Sequence, residues 1–144
     1  MNDAGREDAE HLRMLTIGHY VLAGLTALFG LLPLLHVFMG LAIVSGKMPM
    51  GPAPSAGAAP LPQAFGWLFV VIGGFVIVLA QTMAVLNFVA GRAIAARRRR
   101  MFCMVVAGLN CVNAPFGTLL GVFTFIVLGR EGVRQSFEAS SATA

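Results

Sequence analysis

Between Glu10 and Glu131 the chain holds no aspartate or glutamate, and three long apolar runs inside that interval, residues 14–46, 64–91 and 101–129, carry no formal charge. A soluble domain cannot be built this way. Such domains are about 45–50% apolar and about 25% charged, whereas this chain is 58% hydrophobic and 11% charged, with a mean hydropathy of +0.83. It has too little polar surface to cover its apolar surface in water. In lipid every backbone polar group must be paired internally, which leaves helices as the elements for runs of this length. The expectation is an all-α integral membrane helical bundle with three or four membrane-inserted segments, kinked at Pro33 and broken near Pro115.

Each run has its own difficulty. Residues 1–13 are polar and read as a short surface segment leading into a helix. Residues 14–46 would span about 50 Å as one helix, against a hydrocarbon core of about 30 Å. Pro33 removes a backbone bond in its interior, so the prediction is one crossing kinked there. A tight hairpin at Gly30–Pro33 is the alternative. Residues 47–63 are rich in Pro, Gly and Ala and predict an extramembrane loop. Residues 64–91 predict a clean second crossing, with Trp67 in the aromatic belt.

Residues 92–100 contain Arg92, Arg97, Arg98, Arg99 and Arg100, half of the ten basic residues of the chain. Wedged between apolar runs without interleaved aromatics, they read as a cytoplasmic topology anchor and not as a nucleic-acid site. Residues 101–130 would span about 44 Å as one helix. Asn113-Ala114-Pro115 offers turn chemistry, since a residue before proline avoids the helical region. The prediction is a hairpin with legs 101–112 and 115–130, with Asn110 and Asn113 supplying partners at the turn. Both chain ends would then be cytoplasmic, residues 131–144 forming a polar tail.

Catalysis finds little to work with. Without a carboxylate between residues 11 and 130, no buried acid can relay protons or act as a general acid. No zinc-protease, nucleophile-elbow or phosphate-loop motif occurs. His19 and His36 are weak candidates for cofactor binding. On one straight helix they sit about 25 Å apart, so a shared haem would need a homodimer. Met39, Met48 and Met50 near His36 are a loose copper pattern. Cys103 and Cys111 read as small packing residues, with no disulfide framework and no metal site implied.

The amides Gln81, Asn87, Asn110 and Asn113 are the polar intramembrane group. They read as interhelical ties, with a polar path in an oligomer as the alternative. Gly73, Gly74, Ala80, Ala84, Gly117 and Gly121 read as helix-packing positions. No cofactor is assigned. The expected partners are the lipid bilayer and either further copies of the chain or a membrane partner protein, with no nucleic acid.

The segments "LNC" at 109–111 and "PFGTLLGVFTFIVLGREGVRQSF" at 115–137, with "IGHYVLAGLTALFG" at 17–30, carry a resemblance. They are similar to small uncharacterised bacterial integral membrane proteins with a C-terminal "LNC…PFGTxLGVFTxIVL" pattern. The likeness covers residues 12–46 and 96–137. It implies a bacterial inner-membrane location and transfers no catalytic residue. The expected function is therefore non-enzymatic, a self-associating or accessory membrane subunit. An oligomeric channel or small-solute transporter lined by Asn, Gln and His is the alternative, and a haem- or copper-binding redox subunit a second one.

Overall fold

The computed structural model describes residues 3–47, 63–113 and 115–142, and all of its regular elements are helices. They are α1 (Asp3–Phe29), α2 (Leu34–Val44), α3 (Gln63–Ala95), α4 (Arg100–Cys111), α5 (Phe116–Gly129) and α6 (Glu131–Ala142). Two stretches are long and apolar enough to cross a membrane: Gly5–Val44, which passes through the Pro33 break, and Gln63–Ala95. A third results if α5 and α6, bent by 75° at their junction, count as one span. Most of the Pro-rich loop, with Met48 and Met50, lies outside the described residues.

The chain forms two compact units, Met1–Thr26 with Met83–Ala144, and Ala27–Thr82, and the helices α1 and α3 contribute to both. In the second unit, glycines set the spacing. A Cβ at Gly40 would stand 2.6 Å from the Gly66 carbonyl oxygen, and one at Gly66 would stand 2.9 Å from that of Gly40. Gly73 meets the Pro33 carbonyl at 3.2 Å in the same sense. Gly74, expected to pack like its neighbour, has nothing within 4 Å. One residue along a helix is a turn of about 100°, so the two glycines cannot serve the same face.

The break before α2 is a short tightened stretch. Leu31 and Leu32 donate to Leu28 and Phe29 at 3.2 and 3.0 Å, bonds three residues back and not four. Pro33, with no N–H to give, lies within the stretch: Leu34, Leu35 and His36 still donate three residues back, at 2.9, 3.1 and 2.9 Å, and the first bond four residues back runs from Val37 to the Pro33 carbonyl at 3.1 Å.

The first unit contains the hairpin expected in residues 101–130. The helices α4 and α5 run antiparallel, and a Cβ at Gly117 or Gly121 would come 2.5 Å from the carbonyl oxygens of Asn110 and Ala107. Twelve and fourteen residues make legs of about 18 and 21 Å, each short of a full hydrocarbon core. At the end opposite the hairpin turn lies the main apolar cluster. Leu12 and Leu15 of α1, Ala93 and Ile94 of α3, Cys103 of α4, Val127 and Leu128 of α5, and Val133 and Phe137 of α6 meet there.

Both polar segments are helical in the described residues. The segment 1–13, expected to lead into a helix, lies in α1 from Asp3 onward, and the polar tail forms α6 as far as Ala142. Both have buried anchors that polar composition conceals. Leu12 is 7% exposed, and Val133 and Phe137, four apart on one helix face, are 1% and 3% exposed. Asp8 adds an ion pair to Arg130 at 3.5 Å. The start of α1, the α3–α4 turn and α6 therefore share one end of this unit.

That turn follows a familiar helix ending with an unusual residue. Arg97 N–H donates to Ile94 O at 3.0 Å and Arg98 N–H to Ala93 O at 2.9 Å, the bond pair of a Schellman motif. The same motif ends α2, where Gly46 and Lys47 donate to Ile43 and Ala42 at 3.2 and 3.1 Å. There the left-handed position is Gly46 at φ 64°, but after α3 it is Arg97 at φ 49°, followed by Arg99 at φ 54°. A left-handed conformation costs a non-glycine residue about 1–2 kcal/mol. Arg97→Gly should consequently raise the unfolding free energy in detergent micelles by up to about 1 kcal/mol, after glycine's greater loss of chain entropy. Gly121→Ala should lower it by about 1–3 kcal/mol through overpacking of the hairpin. Denaturant titrations of the two variants beside the parent chain test both.

Candidate functional site

Polar side chains inside the apolar helices are the natural place to look for function, and the structure accounts for most of them. Asn87 on α3 and Asn110 on α4 are 1% and 0% exposed. Asn87 Nδ2 donates to Asn110 Oδ1 at 3.0 Å, and Asn110 Nδ2 returns a bond to Asn87 Oδ1 at 2.6 Å. Asn87 Nδ2 also donates to the Met83 carbonyl at 2.9 Å. This reciprocal geometry fixes both amide orientations and joins two helices 23 positions apart. It is the interhelical tie expected from sequence, and it leaves no amide edge facing an open path.

Gln81 is used differently. Its Nε2 donates to the Ala27 carbonyl at 3.0 Å. In an unbroken helix that carbonyl would take the N–H of Leu31, which instead bonds Leu28. Gln81 thus serves a backbone acceptor released by the break before α2.

The hairpin turn is served by a residue that sequence reasoning passed over. Thr118 Oγ1 donates to the Cys111 carbonyl at 2.9 Å, one of the orphan acceptors at the end of α4. Asn110 has its side chain committed to Asn87. Asn113 is exposed and contributes its main-chain carbonyl, which accepts from Gly117 N–H at 2.8 Å. The signal for Thr118 was present in its place one turn after Pro115, where a hydroxyl can fold back over the turn. At the other end of α5, Arg100 Nε donates to the Leu128 carbonyl at 3.0 Å. One arginine of the expected topology anchor is therefore a helix C-cap, favourable for a cation at the negative end of the dipole.

The histidines have separate surroundings. His19, fully buried in the first unit, holds Nδ1 2.9 Å from the Leu15 carbonyl. A carbonyl only accepts, so Nδ1 carries the proton. Nε2 is then a bare acceptor, and among the described residues it has no partner. His36, in the second unit, is exposed and stacks on Phe69 with ring centroids 6.0 Å apart and planes 17° apart. It lines an apolar cavity of about 420 Å³ with Pro33, Leu68, Phe69, Ile72, Gly73 and Val76. Among the described residues no group of three or more His, Cys, Asp or Glu side chains is placed to hold a metal. Cys103 is buried with Sγ 3.9 Å from the Ala90 carbonyl, and Cys111 packs against Gly121.

In the first unit, an open apolar groove of about 800 Å³ runs along α1 and α5 from Met14 and Phe123 to Leu25 and Phe116. Gly18 forms its floor against Leu120, whose Cδ1 would lie 2.7 Å from an added Cβ. Among the proposed packing positions, Ala84 is buried, and Gly117 and Gly121 are consumed inside the hairpin.

Comparison with protein families, curated proteins and solved structures finds no match to this chain.

The asparagine pair makes a quantitative expectation. Asn87→Leu or Asn110→Leu alone leaves a buried amide unpaired and should lower stability by about 1–3 kcal/mol. The double substitution should cost less than the sum of the two by about 1 kcal/mol or more. Unfolding of all four chains in the same detergent closes the cycle, and simple additivity would contradict the tie.

Proposed function

We propose that this chain is a non-enzymatic bacterial inner-membrane protein that associates with further copies of itself through its lipid-facing helices. The observation that carries this reading is the closed amide pair of Asn87 and Asn110. With Gln81 bonded to Ala27 as well, three of the four intramembrane amides are occupied within the chain, and Asn113 alone of them is exposed, at the hairpin turn where Thr118 serves Cys111. An oligomeric channel built on those amides would have to break its own helix contacts. The groove turns apolar side chains outward: Phe116, Leu119 and Met14 are 71%, 69% and 64% exposed.

Helices in lipid gain little from apolar contact as such and associate through close packing. A groove floored by Gly18 gives a partner helix a concave surface to pack into. In this reading both chain ends and the arginine turn are cytoplasmic, because they share one end of the first unit and arginine-rich turns stay on that side. The hairpin of α4 and α5 then enters the bilayer from the cytoplasmic face and returns, its short legs stopping within the hydrocarbon.

Reporters fused to the two chain ends should both register the cytoplasm, and an external C-terminus would sink the re-entrant hairpin. In density-matched detergent, sedimentation equilibrium should show a dimer or larger species, with Phe116→Ala plus Leu119→Ala weakening association about tenfold, the loss of about 1.4 kcal/mol. A parent chain that stays monomeric at every protein-to-detergent ratio, or that conducts ions in liposomes, would overturn the proposal.

A further inference from the structure

The α3–α4 turn holds more positive charge than its architecture uses. Arg100 is turned inward to the Leu128 carbonyl. Arg92, Arg97, Arg98 and Arg99 are all exposed. The ion pairs at this end of the first unit join Asp8 to Arg130, and Glu131 and Glu138 to Arg134. No carboxylate of the described residues pairs with the four exposed guanidiniums, and no acidic residue lies between Glu10 and Glu131. The turn also keeps arginine at two left-handed positions, Arg97 and Arg99, where glycine would fit without strain. At the end of α2 the same backbone motif does carry glycine, at Gly46. Cationic side chains thus stand at positions whose backbone favours a residue with none.

We infer that Arg92, Arg97, Arg98 and Arg99 form a binding site for the phosphate headgroups of anionic phospholipids in the adjoining leaflet. The chemistry fits on three counts. Guanidinium is a planar donor fork that matches phosphate oxygens two at a time, and it is always charged. The apolar helices α3 and α4 run directly from this turn, which holds it at headgroup depth. Anionic lipid attracts juxtamembrane Lys and Arg with an affinity gain of about fivefold for each one near the surface. A generic topology anchor needs only net charge on one side, whereas a headgroup site gains from charges carried on a fixed turn, and the paired main-chain bonds of Arg97 and Arg98 fix this one. The inference rests on the membrane reading above but not on self-association, so lipid binding can fail while assembly stands.

The experiment uses the full chain in neutral detergent, with its thermal unfolding midpoint followed as lipid is added. Phosphatidylglycerol, phosphatidylcholine and inorganic phosphate are the three probes. The variant is Arg97→Gly with Arg98→Gln and Arg99→Gly, in which both left-handed positions receive the residue they favour, so the fold is retained. The expected result is a rise in midpoint with phosphatidylglycerol alone, and a loss of about 100-fold in apparent affinity in the variant. Equal stabilisation by phosphatidylcholine would overturn the inference. So would an equal response to free phosphate, which would mark a soluble-anion site. A variant that binds phosphatidylglycerol as the parent does would remove these arginines from the site.

Discussion

A backbone carbonyl without a partner in hydrocarbon costs several kcal/mol, and the broken helices of this chain are organised around avoiding that. The stretch before α2 and the turn between α4 and α5 interrupt helical bonding inside apolar sequence. At the first, tightened bonds from Leu31 and Leu32 recover two carbonyls, and Gln81 reaches across from α3 to take the one at Ala27. At the second, Thr118 takes Cys111, and Gly117 N–H takes Asn113. Where α5 ends, Arg100 takes Leu128. Gln81, Thr118 and Arg100 thus each serve a carbonyl left where helical bonding stops.

Close approach is the second condition. At Gly40 with Gly66, and at Gly117 and Gly121 with α4, a carbonyl oxygen of one helix lies directly over a glycine of its neighbour, where any side chain would hold the backbones apart. Dispersion between the helices then replaces the attraction that lipid would otherwise supply. This explains why the G-x-x-x-G of α5 is not open to association between copies: its face is already filled by Asn110, Ala107 and Cys111.

The elements were legible where a single physical rule decides them. Uncharged length predicted the long helices, Pro33 the break, and Asn113-Ala114-Pro115 the reversal of the third run. Asn87 and Asn110 could be singled out as amides needing partners, but not as partners of each other, because a pairing across 23 positions depends on how α3 meets α4. What holds the two polar terminal segments in place was not legible for a related reason. Their composition is polar, and the few anchors that hold them, Leu12, Val133 and Phe137, acquire meaning only once the apolar cluster exists. Arg100 looks like its neighbours in sequence, and only the nearby end of α5 distinguishes it. Thr118 was overlooked because a hydroxyl in a helix commonly bonds its own preceding turn, as Thr124 does to Leu120 at 2.7 Å.

The contacts at the arginine end also impose an order of events during synthesis. The hairpin closes over a few residues, Thr118 to Cys111 being seven apart, so it can form soon after leaving the ribosome. Asp8 and Arg130 are 122 positions apart. Until the last helix has been translated, Leu12 and Leu15 lack the cover of Val133 and Phe137. The first helix therefore waits, while the intervening residues are made, with part of its final contact surface bare, and that interval is when a nascent-chain chaperone or a neighbouring copy would find it open.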